Sequence, residues 1–349
     1  MTYKTDRIFV ANHQSVVGSA IVRRLTQLGH RSTHIVSCPP GQVCWQNYSS
    51  IRAFFAKERP DQVYLWAMSD LLAASAPGTY AAPRSEGIAQ EPVGTAHIVE
   101  AAFRSGIKRL INVATHAELG EAGGNRLGAL QVENDVDTRS SLLDGMLLCQ
   151  ELTIAYGATQ GVDYRAVQVC ESYGPGWPAS KDWLHSPGDP SNRIIAEPLH
   201  AFERAMETAS GRASLSIAKS ELFDLMYSDD VADAVIFLKE LALPKYLSGL
   251  GAEGSHIFVN SSARINGEHL AQALSTALGF RGQVEFESDP RALRGLSTQI
   301  PWPNARDFGW SPSIDVNTGL ELTALAYRIS QVARRKRITA PLALRSIRC

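Results

Sequence analysis

The chain has 349 residues and a mass of 38.0 kDa, enough for about two domains or one large α/β unit. Its apolar fraction of 44% and charged fraction of 20% are ordinary for a globular protein, and 34 Lys and Arg against 35 Asp and Glu leave a net charge of −1. That balance gives no global basic field for nucleic acid or an anionic membrane, and no run approaches the ~18 apolar residues of a membrane span.

Met1–Arg7 is polar and lacks an apolar stretch of the secretory type, so a cytoplasmic location is expected. The five cysteines, Cys38, Cys44, Cys149, Cys170 and Cys349, are odd in number and contain no C-x-x-C pair. Neither a disulfide framework nor a metal site is therefore expected.

In chain order, Arg7–Ala11 (RIFVA) reads as a buried strand and Val17–Leu28 as a helix, with Gly29 closing it. Thr33–Ser37 is a second short strand, Ser50–Glu58 a helix stopped by Pro60, and Gln62–Ala67 (QVYLWA) a third strand. The helix Val93–Ser105 ends at Gly106 and precedes the strand Arg109–Ala114 (RLINVA). The helix Ser140–Tyr156 precedes the strand Tyr164–Val169 (YRAVQV). Continuous apolar strands alternating with helices predict a parallel sheet covered on both faces, a doubly wound, Rossmann-type α/β fold.

The second half is less regular. Gly174–Asn192 reads as a long loop leaving the sheet, and Arg193–Ser210, Ser228–Leu241 and His269–Leu278 as amphipathic helices. Gly254–Asn260 and Gln283–Glu287 read as strands between them. The expected organisation is a Rossmann-type, dinucleotide-binding-like domain over 1–171, to which the chain returns around 213–240. A smaller α+β, substrate-domain-like region follows over 172–333, and a basic, frayed tail over 334–349.

The turn between the first strand and helix is where a dinucleotide binder places three glycines, for the tight turn, the approach to pyrophosphate and the helix–strand packing. Here it reads Asn12-His13-Gln14-Ser15-Val16-Val17-Gly18, with only the packing glycine present. Ala11–Ile21 (ANHQSVVGSAI) resembles the opening A-G-H-R-G-M-V-G-S-A-I of the GDP-L-fucose synthases, extended short-chain dehydrogenases of the NAD-dependent epimerase/dehydratase superfamily. Phe54–Leu65, Gly161–Val167 (GVDYRAV), Tyr173–Pro175 and Pro190–Asn192 are similar to that family in order. So are Asp229–Asp230 with Ala232, His269–Leu274, Gly279–Val284 and Phe308–Trp310, so that the resemblance covers roughly residues 6–330. It implies a GDP-sugar ligand, NADP as cofactor, and epimerisation followed by reduction of GDP-4-keto-6-deoxy-mannose.

The chain departs from the family where the family does its chemistry. The first two fingerprint glycines correspond to Asn12 and Ser15, and the third to Gly18. Asn12 tolerates φ > 0, so the turn is expected to survive, whereas Ser15 adds a Cβ where backbone meets pyrophosphate. Ser37–Gln42 carries neither a cation for a 2′-phosphate nor an acid for a ribose. The family's catalytic Ser aligns with Ala114, its Tyr with Leu142, its Lys with Met146, its epimerisation Cys with His116 and its epimerisation His with Glu203. Its substrate-side Arg aligns with Phe223, and no Tyr-x-x-x-Lys occurs anywhere in the chain.

Positioned acid–base catalysis contributes roughly 10²–10⁴-fold, and Leu, Met and Ala supply none of it. The expectation is a degenerate homologue, a pseudoenzyme that keeps the scaffold and acts by binding or association. The rival is an active NADP-dependent epimerase/reductase with relocated groups. For that rival His116 and Glu203 form a base–acid pair, set against a hydrogen-bonded, non-catalytic histidine. Thr115, Asp70, Trp177 and Trp183 each admit a ligand role or a plain structural one. In the resembled family dimers form through two long helices, here Val93–Ser105 and Ser140–Tyr156. The second carries Leu142, Leu143, Met146, Leu147, Leu148, Leu152 and Ile154, apolar nearly all round. A homodimer, or a heterodimer with an active family member, is expected, with no nucleic-acid or membrane partner.

Overall fold

The computed structural model describes residues 5–36, 38, 43–45, 47–66, 95–115, 136–175, 193–250, 254–261, 263–286 and 303–339. The first half supplies β1 (Ile8–Val10), α1 (Val16–Gln27), β2 (Ile35–Val36), α2 (Tyr48–Glu58) and β3 (Gln62–Trp66). It continues with α3 (Thr95–Arg104), β4 (Arg109–Thr115), α4 (Val136–Gln160), β5 (Asp163–Val169) and β6 (Glu171–Tyr173). The second half adds α5 (Arg193–Glu207), β7 (Arg212–Leu215), β8 (Leu222–Phe223), β9 (Leu225–Tyr227), α6 (Ser228–Glu240) and α7 (Leu243–Leu250). Then come β10 (Ile257–Val259), β11 (Ile265–Asn266), α8 (Gly267–Leu278), β12 (Gln283–Phe286) and α9 (Val316–Thr339).

Among the described residues the main sheet has six parallel strands in the order β10-β5-β4-β3-β1-β2. Side chains alternate across it, as the period of two requires. Ile8, Val10, Tyr64, Trp66, Ile111 and Val113 face α1 and α6, while Phe9, Val63, Leu65, Leu110 and Ala114 face α2, α3 and α4. Both faces are thus covered, which is why the strands read as continuous apolar runs.

Three differences from the sequence expectation have physical causes. Among the described residues of Thr33–Ser37 only Ile35–Val36 pairs, because Ser32–His34 closes a short 3-10 turn and the strand sits at the sheet edge beside β1. The strand predicted at Gly254–Asn260 joins the main sheet itself, with Ile257–Val259 parallel to β5. The helix α9 runs to Thr339, past the expected start of the tail at Arg334, and the rest of that tail lies outside the described residues. Arg and Lys are good helix formers, and cations at a helix C-terminus complement its dipole.

The second lobe has its own core, in which Ile195, Leu199 and Phe202 of α5 meet Leu270 and Leu274 of α8 and Leu320, Ala324 and Tyr327 of α9. Asp230, near the start of α6, ties the lobes together. Its carboxylate accepts from the Ser313 amide (3.0 Å), the Ser313 hydroxyl (2.7 Å) and the Ile314 amide (2.9 Å).

Candidate functional site

Strand order reverses between β1 and β3, with β2 on one side of β1 and β3, β4 and β5 on the other. In open α/β sheets ligands bind outside the carboxyl ends of the strands at such a switch point. The turn from β1 into α1 stands there. Asn12 takes φ 54°, the left-handed conformation a glycine adopts freely and asparagine tolerates. The Ser15 amide donates to the Asn12 carbonyl at 2.9 Å and closes the turn. Ser15 is also the N-cap of α1, its Oγ accepting from the Gly18 amide at 3.0 Å. At Gly18 a Cβ would stand 2.1 Å from the Asn12 carbonyl oxygen, so glycine is required for this helix to meet its strand. Asn12 and Gly18 therefore keep the tight turn and the close packing, and Ser15 is the altered position.

A helix N-terminus binds phosphate through its unpaired first-turn amides. Here the Gly18 amide is already taken by the Ser15 hydroxyl, a bond a pyrophosphate oxygen would have to displace. Beyond β2, the sequence Ser37–Gln42 holds no charged side chain for a ribose or its phosphate; within it the structure describes Cys38. The turn thus fits a dinucleotide in backbone shape and not in its polar contacts.

The positions aligned with the catalytic set are apolar in their surroundings as well as in identity. Ala114, the penultimate residue of β4, and Met146, on α4, are both buried and belong to one apolar cluster with Ile98, Val99 and Cys149. Close packing holds α4 there. A Cβ at Gly145 would lie 2.8 Å from Thr95 Cγ2 on α3, and the Thr153 hydroxyl bridges the Tyr164 amide and carbonyl of β5, both at 2.7 Å. Leu142 is in the same helix, with its side chain outside the described residues. His116, Asp70, Trp177 and Trp183 also lie outside the described residues. Thr115 ends β4 and is buried, and Phe223 is buried in the core of the second lobe.

Glu203 is placed in the second lobe with partners of its own. The Tyr327 hydroxyl donates to Glu203 Oε2 and lies 3.0 Å from His200 Nδ1, which is 3.8 Å from Glu203 Oε2. This trio borders a cavity of about 410 Å³ lined by Glu203, Met206, Glu207, Leu278, Tyr327 and Arg328. Sequence reasoning missed it because Tyr327 stands 124 residues from Glu203 and 127 from His200. The one local hint is His200 and Glu203 three residues apart on a helix face. Among the described residues no group of His, Cys, Asp and Glu is arranged to hold a metal ion.

Residues 8–245 match the model of the NAD dependent epimerase/dehydratase family. The chain is 27% identical over 331 residues to the GDP-L-fucose synthase of Escherichia coli, covering 91% of this chain and 95% of that protein. It is 25% identical over 336 residues to GDP-L-fucose synthase 1 of Arabidopsis thaliana, covering 93% of each. The fold is shared with the GDP-D-glycero-L-gluco-heptose synthase of Campylobacter jejuni, solved in the presence of NADPH, at a TM-score of 0.66 and 15% identity over 94% of this chain and 100% of that one. It is also shared with a GDP-L-fucose synthetase from Naegleria fowleri bound to NADP, at a TM-score of 0.65 and 12% identity over 95% of this chain and 97% of that one.

Proposed function

Because the chain belongs to the NAD dependent epimerase/dehydratase family, we propose that it is a GDP-L-fucose-synthase-like member that has lost the family chemistry and acts by binding or association in nucleotide-sugar metabolism. The observation that carries this reading is the burial of Ala114 and Met146 in one apolar cluster, at the positions aligned with the catalytic Ser and Lys. With Leu142 in place of the Tyr, no side chain aligned with the Ser, Tyr or Lys donates a proton to a keto oxygen or holds a charge beside it. The test incubates the purified chain with GDP-4-keto-6-deoxy-mannose and NADPH. The expected result is no protein-dependent loss of nicotinamide absorbance.

The rival reading, an active epimerase/reductase with relocated groups, draws on the Glu203–Tyr327–His200 trio. Turnover that Tyr327→Phe or His116→Ala abolishes would establish it instead.

In this reading NADP binds weakly, because Ser15 competes for the Gly18 amide. Replacing Asn12→Gly together with Ser15→Gly frees that amide, while serine-to-glycine at an N-cap costs the helix only a few tenths of a kcal/mol. Calorimetry with NADPH should show affinity rising about tenfold, equivalent to about 1.4 kcal/mol. Tight binding by the unaltered chain would overturn the reading.

The association partner is a second copy or an active relative, in the cytoplasm, through α3 and α4. Leu147 and Ile154, one heptad apart on the outer side of α4, are 45% and 64% exposed, while Met146 and Cys149 face the sheet. A helix with apolar surface on both sides asks for cover on the second. Light scattering should give a dimer that Leu147→Glu with Ile154→Glu converts to a species of about 38.0 kDa. A monomer from the unaltered chain, alone and mixed with an active homologue, would remove the idea.

A further inference from the structure

The net charge of −1 hides a polar distribution. Residues 334–349 contain six Arg and Lys and no acid. Residues 1–333 therefore hold 28 cations (34 less six) against all 35 acids, a net −7. From Leu322 onward there is no Asp or Glu at all.

The helix α9 that leads into this stretch is apolar on two opposite sides. Leu320, Thr323, Ala324 and Tyr327 are buried against the second-lobe core. At about 100° per residue, Leu322, Leu325, Ile329 and Val332 fall on the far side. They are 42% to 62% exposed. Among the described residues, nine large apolar side chains are left exposed, and these four stand within eleven positions of one helix. Met206, also exposed, shares the rim of the adjoining cavity with Val332 and widens the patch. The helical backbone then continues to Thr339, through the sequence Arg334-Arg335-Lys336-Arg337.

We propose that α9 is an interfacial helix that seats its outward apolar stripe in an anionic lipid surface, with the basic run beside it held by acidic headgroups. Charge complementarity selects this occupant. An apolar stripe flowing into a run of cations matches a surface that is greasy just below a layer of negative charge. A parallel second copy matches it poorly, because that pairing sets the two cationic runs side by side, which is repulsive; an antiparallel copy is the competing occupant that the test distinguishes. The negative body is repelled by the same surface, so the protein would dock with α9 facing the lipid. Among the described residues no helix is long and apolar enough to cross a membrane, so the association is in-plane and reversible. The proposal stands apart from the loss of catalysis.

The test is sedimentation of the full chain with vesicles of phosphatidylcholine alone and of phosphatidylcholine with phosphatidylserine. Binding is expected to the phosphatidylserine vesicles and to weaken with added salt. Arg334→Ala, Arg335→Ala, Lys336→Ala and Arg337→Ala combined should lower the partition on the order of a thousandfold. Leu325→Glu with Ile329→Glu, both at exposed positions, should abolish it with an unchanged circular dichroism spectrum. Absence of binding overturns the proposal, as does equal binding to neutral vesicles that ignores the basic run. A lipid-free dimer broken by Leu325→Glu with Ile329→Glu also overturns it, by giving the stripe to a second copy.

Discussion

Met146→Lys is expected to lower the folding free energy by ~3–5 kcal/mol, the range for leaving an uncompensated charge in a protein interior. Met146 has no exposed surface, and its neighbours in the cluster, Ala114, Cys149, Ile98 and Val99, are apolar. A lysine there must either desolvate an ammonium without a carboxylate or give up its proton. The second route leaves a pH signature. The folded-state pKa is depressed below the ordinary value near 10.4, so the deficit is full at low pH and shrinks as pH rises toward that value. Met146→Leu, similar in volume and uncharged, is the control and should cost at most about 1.5 kcal/mol. Urea titrations of the three proteins at neutral and alkaline pH decide the matter. The double change Leu142→Tyr with Met146→Lys should likewise fail to restore turnover, because the groups would return to a dry site. If Met146→Lys proves as stable as the parent, the face is still wet and polar, and the non-catalytic reading falls with it.

Much of this fold was legible because parallel strands carry a strong one-dimensional signal. RIFVA, QVYLWA, RLINVA and YRAVQV each became a strand within a residue or two of the expected bounds. The apolar run at Ile257–Val259 was equally plain as a strand, but its destination was not, since joining β5 depends on a contact about 90 residues away in the chain that no local pattern encodes. The left-handed Asn12 was legible from residue type alone. The Glu203–Tyr327–His200 trio was not, because two distant helices build it. Lys239 was equally hidden. In the sequence it is a charge near the end of an amphipathic helix, and only the docking of α6 on the starts of β4 and β5 buries it.

Lys239→Met is expected to stabilise the protein by ~1–4 kcal/mol at or below neutral pH, the range seen when buried ionic groups give way to apolar ones of similar volume, because Asp163 keeps Arg165 as its partner and no charge is left alone. Lys239 has no exposed surface, and its ammonium makes no hydrogen bond; Asp163 Oδ2 stands 3.9 Å away. That carboxylate is already held by the Arg165 guanidinium, at 2.6 and 2.9 Å. Arg165 lies over the Tyr246 ring at 4.9 Å and also donates to the Leu238 carbonyl. Arg109 in turn holds Glu240 at 3.0 Å. Lys239 thus shares its nearest carboxylate with a guanidinium that already holds both of its oxygens. Burial, opposed by Asp163 and aided by Arg109 and Arg165, brings its pKa down to about 7. The unfolded chain keeps the ordinary lysine value, so between about pH 7 and about pH 10 it binds a proton that the folded chain lacks, and stability rises with pH. Below about pH 7 the ammonium is present in both states and its penalty is felt in full. The gain from Lys239→Met should accordingly be largest at about pH 6 and fade by about pH 10, read as the difference in urea midpoints across that range. A perturbed buried lysine often marks a functional site. This one stands at the amino ends of β4 and β5, the edge opposite the ligand crevice of such sheets, so ligand binding should be unchanged in the variant. Destabilisation at about pH 6 would show instead that the ammonium secures Asp163, and the desolvation argument would be wrong.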